Sequence, residues 1–336
     1  MMHKLIDDIG ASLDQHNLAI FPDNQASVSQ LPTDFITPLS HLSFLAISGL
    51  DSAKFMQGQL TCDVDEINLI QSRPGAHCNP KGRMLTSFHL AQCGEQDYLF
   101  STVQDNLASL KGGLAKYIVF SKAKLTDSDY VALGLSGPKA AAFIAGIFGS
   151  APTGPNQQLI RDEKIVIACA GDVPRFQVWL PSEQALEFWQ QAVKSLVAAD
   201  TSAWLLEDIR AGLANVVAAT SGLFIPQMIN LEQWEGVSFT KGCYTGQEIV
   251  ARMKFLGKMK RHLYHFTSSA SSLSPASPLY GSDSEQSIGE VVSAVSINAN
   301  TTEGLAVLAD KSVTNGVFSG LERRHSLSLK PLIIKD

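Results

Sequence analysis

The sequence predicts an α+β protein that contains a ferredoxin-like block and ends in a small β-barrel or sandwich. Three observations predict this. Apolar runs over residues 130–199 follow the order strand, helix, strand, strand, helix, which a ferredoxin-like α+β sandwich produces. The flanking stretches mix strand-period and helix-period patterns. Beyond a Ser-, Pro- and Gly-rich stretch at 267–287, only short strand patterns remain at Ile288–Val292, Gly304–Leu308 and Ser328–Ile334.

Composition limits the class. The chain has 336 residues, room for two or three domains, and is 45% hydrophobic and 17% charged, so it can build real cores. Its net charge of −6 excludes wholesale coating of nucleic acid but leaves room for a local basic patch. No apolar run reaches the roughly 18–20 residues of a membrane span. Met1-Met2-His3-Lys4-Leu5-Ile6-Asp7-Asp8 holds no secretory h-region, so a cytoplasmic protein without membrane contact is expected. Cys62, Cys78, Cys93, Cys169 and Cys243 are widely spaced, with no Cys-x-x-Cys pair and no His at zinc-finger spacing. Neither a disulfide framework nor a metal site is expected.

The elements follow in order. Residues 1 to 40, with Pro22, Pro32 and Pro38, read as irregular. Leu42–Ser48 is a strand, and Asp51 is placed to cap a helix carrying Phe55, Met56 and Leu60. Cys78-Asn79-Pro80-Lys81-Gly82-Arg83 is a hairpin turn, because Pro80 presets one angle and Gly82 tolerates positive φ. Strands follow at Met84–Leu90 and Tyr98–Thr102, then a helix with Leu107, Leu110, Leu114, Tyr117 and Ile118 on one face, weakened by Gly112-Gly113. In the ferredoxin-like block the first helix opens at Gly137-Pro138 and the second at Ser182. Trp204–Val216 reads as a further helix.

The chemistry concentrates in Lys241-Gly242-Cys243-Tyr244-Thr245-Gly246-Gln247-Glu248. Thr245 followed by Glu248 is a capping box, and Ile249, Val250, Met253 and Leu256 continue an apolar face to Gly257, so a helix is expected from Gly246 to about Leu256. Cys243 then lies near the positive end of a helix dipole, two residues from Lys241, a setting that favours thiolate. Gly242 and Gly246 flank it and allow a close backbone approach to a ligand. Two readings stay open: a reactive or ligand-contacting cysteine, or a small thiol packed under a tight loop.

Arg252, Lys254, Lys258, Lys260, Arg261 and His262 fall within eleven residues that contain no acid. This run is either an anion site, for RNA phosphate or a folate glutamate tail, or a solvated face that complements the helix dipole. Trp204 could stack on a flat heterocycle or pack in a core. Gln227 and Asn230 could offer donor and acceptor to a pterin-like ring.

Phe224-Ile225-Pro226-Gln227-Met228-Ile229-Asn230-Leu231, followed by Lys241 through Arg252, resembles the signature of the YgfZ family, a folate-binding, tRNA-modifying relative of the glycine cleavage T-protein. Ile47-Ser48-Gly49, Met56-Gln57-Gly58-Gln59 and the turn Cys78–Arg83 also match, so the resemblance spans residues 40 to 330. It implies a T-protein-like domain built from 41–128 and 200–262, a ferredoxin-like subdomain at 129–199 and a C-terminal β-barrel at 263–336, after an irregular segment at 1–40. It further implies a site for tetrahydrofolate or a one-carbon derivative, with Trp204 at the family's tryptophan position. The family's second aromatic position falls at Leu42, near Phe44, and Gln227, Asn230 and Tyr244 are further candidate contacts.

The resemblance does not extend to aminomethyl transfer. The acidic residue that T-proteins carry after the hairpin turn is missing from Arg83-Met84-Leu85-Thr86-Ser87-Phe88. Their glutamate before Ala-Gly is Arg210 in Asp208-Ile209-Arg210-Ala211-Gly212, so a substrate amine has no obvious base. The expected role is therefore a folate-binding accessory protein that supports iron–sulfur enzymes, including those that thiomethylate tRNA, with Cys243 as the key thiol. Expected partners are folate and iron–sulfur or tRNA-modifying enzymes, with tRNA contact through residues 252–262. The rival readings are a folate-dependent one-carbon transferase and an RNA-binding module using that basic run.

Overall fold

The computed structural model describes residues 2–22, 28, 31–270, 273–282 and 285–332. In chain order the elements begin with α1 (Met2–Asp8), β1 (Ser12–Leu13), β2 (Ala19–Ile20), β3 (Phe35–Pro38), β4 (Leu42–Ser48) and α2 (Ser52–Gln57). Next come β5 (Arg73–Cys78), β6 (Met84–Gln92), β7 (Asp97–Val103), α3 (Leu107–Ile118) and β8 (Lys124–Asp127). The middle of the chain holds β9 (Tyr130–Ser136), α4 (Pro138–Phe148), β10 (Gln158–Arg161), β11 (Lys164–Cys169), β12 (Arg175–Pro181), α5 (Ser182–Ala192), β13 (Val197–Ala198) and α6 (Thr201–Ala211). Short 3-10 turns lead to α7 (Gln247–Phe255), followed by β14 (Arg261–Ser268), β15 (Pro278–Gly281), β16 (Ser287–Asn298), β17 (Thr301–Ala309), β18 (Val317–Ser319) and β19 (His325–Pro331).

The chain divides into two compact units. The first comprises Met1–Gln57, Val64–Pro74 and Phe88–Leu205, and the second Gly58–Asp63, Gly75–Ser87 and Leu206–Asp336.

In the first unit a six-stranded sheet runs β10-β11-β12-β9-β3-β13. Successive side chains of a strand point to opposite faces, and β11 does so cleanly. Val166 and Ala168 join Leu133, Leu135, Val178, Ile144, Phe188 and Trp189 under α4 and α5, while Ile165 and Ile167 join Phe44, Leu99, Trp179 and Trp204 on the other face. The expected strand–helix–strand–strand–helix run is present as β9, α4, β11, β12 and α5, with β10 added as an edge strand. A second, five-stranded sheet runs β5-β6-β7-β4-β8.

Residues 1–40 differ from the irregular segment expected. Met2, Leu5, Ile6 and Ile9 share one helical face, and Leu5 is buried in the α4–α5 core. Phe35–Pro38 forms β3, antiparallel to β9 and parallel to β13, so this segment supplies a strand of the ferredoxin-like sheet. The three prolines masked a pattern only four to seven residues long. Two expected caps also differ: the Asp51 carboxylate accepts the Lys122 amide at 2.7 Å, and Ser182 is the first residue of α5, after Pro181, with no side-chain cap.

In the second unit the six strands β14-β17-β16-β15-β18-β19 form a closed barrel, with β19 pairing back onto β14. Tyr264, Phe266, Leu279, Val291, Ala306, Leu308, Val317 and Leu327 fill it. The stretch at 267–287, expected as a linker, holds the end of β14 and all of β15, because Pro278–Gly281 pairs with both β16 and β18. Residues 333 and 334 of the expected last strand lie outside the described residues.

Candidate functional site

The Cys243 loop is built against the hairpin turn between β5 and β6. Asn79 organises that turn: its side-chain oxygen accepts the amides of Lys81 at 2.9 Å and Arg83 at 3.1 Å, and its carbonyl accepts the Gly82 amide at 2.9 Å. Gly82 takes φ +69°, as its place in the turn requires. Gly246 packs onto this turn with φ +85°, and a Cβ there would lie 2.6 Å from the Asn79 carbonyl oxygen and 3.0 Å from the Gly82 Cα.

This packing corrects the expected capping box. Gly246 itself stands at the N-cap of α7 in the left-handed region, and no side chain caps the helix. Thr245 therefore lies in the turn ahead of the cap, and the tight approach at Gly246 is to the hairpin rather than to a ligand. Gly242 has nothing within 4 Å of a would-be Cβ and is exposed. At the far end the Leu256 and Gly257 amides both bond the Arg252 carbonyl, and Gly257 closes the helix without a left-handed angle.

Lys241 is anchored. Its ammonium donates to the carbonyls of Leu60 at 2.7 Å and Cys62 at 2.6 Å, and lies 4.9 Å from the Tyr244 ring centroid. Tyr244 is buried, and its hydroxyl has no hydrogen-bond partner among the described residues. Burial raises the phenol pKa, with the Cys78 and Cys62 thiols adding to the effect, so Tyr244 stays neutral. Burial also pushes the Cys78 thiol up to about 12. Between these two inward anchors, Lys241 and Tyr244, the chain turns Cys243 outward. All five cysteines are free; Cys62 and Cys78 are buried, Cys93 and Cys169 half-buried, and Cys243 exposed. Gln247 is half-buried and Glu248 and Arg252 are exposed on α7.

Gln227 and Asn230 brace this unit. The Gln227 amide donates to the Val250 carbonyl of α7 at 2.7 Å, leaving its buried side-chain oxygen without a partner among the described residues. Asn230, at φ +57°, donates to the Leu332 carbonyl at 2.6 Å. Arg210, which stands in the place of the T-protein glutamate, pairs with Glu303 at 3.1 Å and Glu207 at 3.6 Å. Sequence reading missed Glu303, because it lies 93 residues from Arg210 and only the tertiary fold brings β17 to that side chain.

Trp204 and Leu42 belong to the first unit and share one apolar cluster with Phe44 and Trp179. Trp204 is 0% exposed. The Arg175 guanidinium carbon lies 4.1 Å from its ring centroid, and a Cβ on Gly134 would fall 2.4 Å from the ring. The helix carrying it runs Thr201–Ala211 rather than Trp204–Val216, which puts the tryptophan in the first turn of α6, deep in the core. A cation–π contact thus holds the ring face on which a pterin would stack, so the residues as arranged do not fit a pterin at Trp204.

No cluster of three or more His, Cys, Asp or Glu residues able to hold a metal occurs among the described residues, and no helix there is long and apolar enough to cross a membrane.

The fold and the hairpin-backed cysteine loop define a class: proteins with the aminomethyltransferase T fold that carry an outward-facing cysteine ahead of α7. The fold matches the glycine cleavage system aminomethyltransferase T from Bartonella henselae with a TM-score of 0.75 at 15% identity, over 99% of this chain and 96% of that one. No protein-family model matches the chain. The tRNA-modifying protein YgfZ of Yersinia pseudotuberculosis serotype O:1b (strain IP 31758) is 34% identical over 298 residues, 86% of this chain and 88% of that protein. That of Serratia proteamaculans (strain 568) is 35% identical over 272 residues, 80% of this chain and 81% of that one. The chain belongs to the YgfZ family.

Proposed function

We propose that this protein acts in tRNA modification as an accessory to iron–sulfur enzymes, including those that thiomethylate tRNA, and that the Cys243 thiol is the group its partner or substrate meets. One observation carries the reading: of five free cysteines, Cys243 is the exposed one, and it stands on a loop fixed by Lys241, Tyr244 and the Gly246–Gly82 contact. Relatives named as tRNA-modifying proteins support the cellular side. The test is complementation of cells lacking the protein, read as thiomethylated nucleosides in their tRNA. Wild type is expected to restore them and Cys243→Ser to fail, with both chains folded. Full restoration by the serine variant would remove the thiol from the proposal.

Binding of tetrahydrofolate or a one-carbon derivative forms a second, separable part, supported by the shared T-protein fold. A pterin stacked on Trp204 requires the Arg175 guanidinium to leave the ring face. Calorimetric titration with tetrahydrofolate and its 5-formyl form, wild type beside Trp204→Ala, tests this part. Saturable binding that weakens in the variant supports the Trp204 site, and absence of binding by wild type ends the folate reading. One-carbon transfer finds less support, because Arg210 and its Glu303 and Glu207 partners occupy the place where that chemistry would want a free carboxylate. Detectable aminomethyl or formyl turnover would reverse that judgement.

A further inference from the structure

The C-terminal half of α7 and the turn after it differ from the rest of this acidic chain. Arg252, Lys258 and Lys260 are exposed, and among the described residues their side chains enter no ion pair. The remaining groups of the run are engaged: Lys254 pairs with Glu232 at 3.2 Å, Arg261 with Glu290 at 3.2 Å and His262 with Asp310 at 2.9 Å. No acid occurs from Ile249 to His262 to neutralise the three that are left.

Large apolar side chains lie among these cations. Phe255 is 67% exposed and Leu256 85%. Phe255 meets Phe239 edge-on, with ring centroids 5.8 Å apart and planes at 78°, and the Lys254 ammonium lies 5.8 Å from the Phe239 centroid. Edge-on contact with Phe239 fixes the tilt of the Phe255 ring while most of its surface stays in water. Single-stranded nucleic acid is bound by this combination, in which cations track phosphates and an aromatic face takes a base.

We propose that this surface binds single-stranded RNA, with phosphates on Arg252, Lys258 and Lys260 and a base stacked on Phe255. Charge complementarity selects a polyanion, and the exposed ring selects one with flat bases over an acidic protein. This deepens the tRNA-modification reading and rests on it. It also sets a geometry: α7 has nine residues, which at 1.5 Å each is about 13 Å. RNA seated at the C-terminal end of the helix therefore lies about one short helix length from the end that carries the Cys243 loop.

The test is fluorescence anisotropy of the purified full chain with a labelled unstructured single-stranded RNA, the same RNA as a duplex, and polyglutamate. Three phosphate contacts predict a log–log salt slope of about −2, or roughly 20-fold weaker binding between 50 and 200 mM salt. The double variant Lys258→Glu, Lys260→Glu is expected to lose most of that slope. Phe255→Ala is expected to weaken single-strand binding about tenfold with the slope unchanged. All three positions are exposed, and unfolding midpoints confirm that the variants fold. No salt-dependent RNA binding overturns the proposal. So does equal binding of polyglutamate or duplex with no effect of Phe255→Ala, which would mark the surface as one for acidic protein or for charge alone. Complementation separates this from the parent reading: a charge-reversed variant that loses RNA binding yet restores thiomethylated tRNA removes the RNA surface and leaves the Cys243 reading standing. Restoration by Cys243→Ser removes the latter whatever the RNA result.

Discussion

Gly246 and Gly82 meet back to back: a Cβ on Gly246 would lie 3.0 Å from the Gly82 Cα, and one on Gly82 would lie 3.0 Å from the Ile249 Cβ. The contact ties the start of α7 to the β5–β6 turn and so fixes where the Cys243 loop leaves the body of its unit. It is backbone against backbone, so neither side can yield by a rotamer change.

Gly246→Ala tests this contact. A left-handed angle costs a non-glycine residue about 1–2 kcal/mol, and forcing a methyl group against the Asn79 carbonyl adds about 1–3 kcal/mol. A loss of roughly 2–5 kcal/mol in urea unfolding is expected, together with faster amide exchange over residues 241–247. Gly242→Ala, with open space around its Cβ, is expected to stay within about 0.5 kcal/mol of wild type. Equal effects of the two substitutions would mean that the loop is not held by the hairpin.

Thiol chemistry should rank the cysteines. Cys243 is exposed, whereas burial pushes Cys78 up to about 12, and burial with the Asp97 charge pushes Cys93 up to about 11. At pH 8 the thiolate fraction of Cys78 is then on the order of one in ten thousand. Brief alkylation of the native protein followed by peptide mapping is expected to modify Cys243 first and Cys78 last, with all five labelled in denaturant. Early labelling of Cys78 would show that the β5 end opens readily.

The sequence carried much of this arrangement, for local reasons. Pro80 and Gly82 marked the hairpin because their backbone preferences act within four residues, and Gly137-Pro138 marked the start of α4 in the same way. The closed barrel was legible as a run of strand patterns, although its closure by β19 on β14 was not, since pairing is a long-range choice. Thr245 and Glu248 formed a capping box on paper, and the turn imposed at Gly246 defeated it. Lys241 looked like an electrostatic neighbour of the thiol because the two are close in sequence, yet its ammonium is held by the carbonyls of Leu60 and Cys62. Nothing local announces a partner about 180 residues away. Trp204 showed the same limit: its type fitted a ligand platform as well as a core, and only packing against Arg175 and Gly134 decides between them.

Because Trp204 is fully enclosed, Trp204→Ala is a core truncation, expected to cost about 3–5 kcal/mol. Trp204→Phe keeps a ring for the Arg175 guanidinium and is expected to cost clearly less. Thermal unfolding of both variants checks this and bears on any folate titration. If Trp204→Ala unfolds within 1 °C of wild type, the ring contributes little to the core and its face is free for other use.

Acid should weaken the first unit through two buried histidines, His41 and His89. Burial lowers the His41 pKa to about 4, and the buried Nδ1 of His41 has no partner among the described residues. Burial and then the Arg73 charge lower the His89 pKa to about 3, while its ring bonds the Ser72 hydroxyl at 2.8 Å. Both imidazoles are neutral in the folded chain. Below pH 6.5 the unfolded chain binds protons that the folded chain refuses, so stability is intact above that value and falls with pH down to the folded pKa values. Each histidine contributes up to about 1.4 kcal/mol per pH unit once the unfolded ring is protonated, so the pair removes about 3 kcal/mol between pH 6.5 and 5. Trp179, Trp189 and Trp204, three of the four tryptophans, lie in this unit, so urea unfolding followed by tryptophan fluorescence reads it directly. His41→Leu removes one titrating group and an unpartnered polar atom together. It is expected to unfold near wild type at pH 7.5 and to lose about half as much stability as the pH falls to 5. A wild-type midpoint that does not move over that range would mean that one or both rings take up a proton in the folded state, and the burial assigned to them would have to be abandoned.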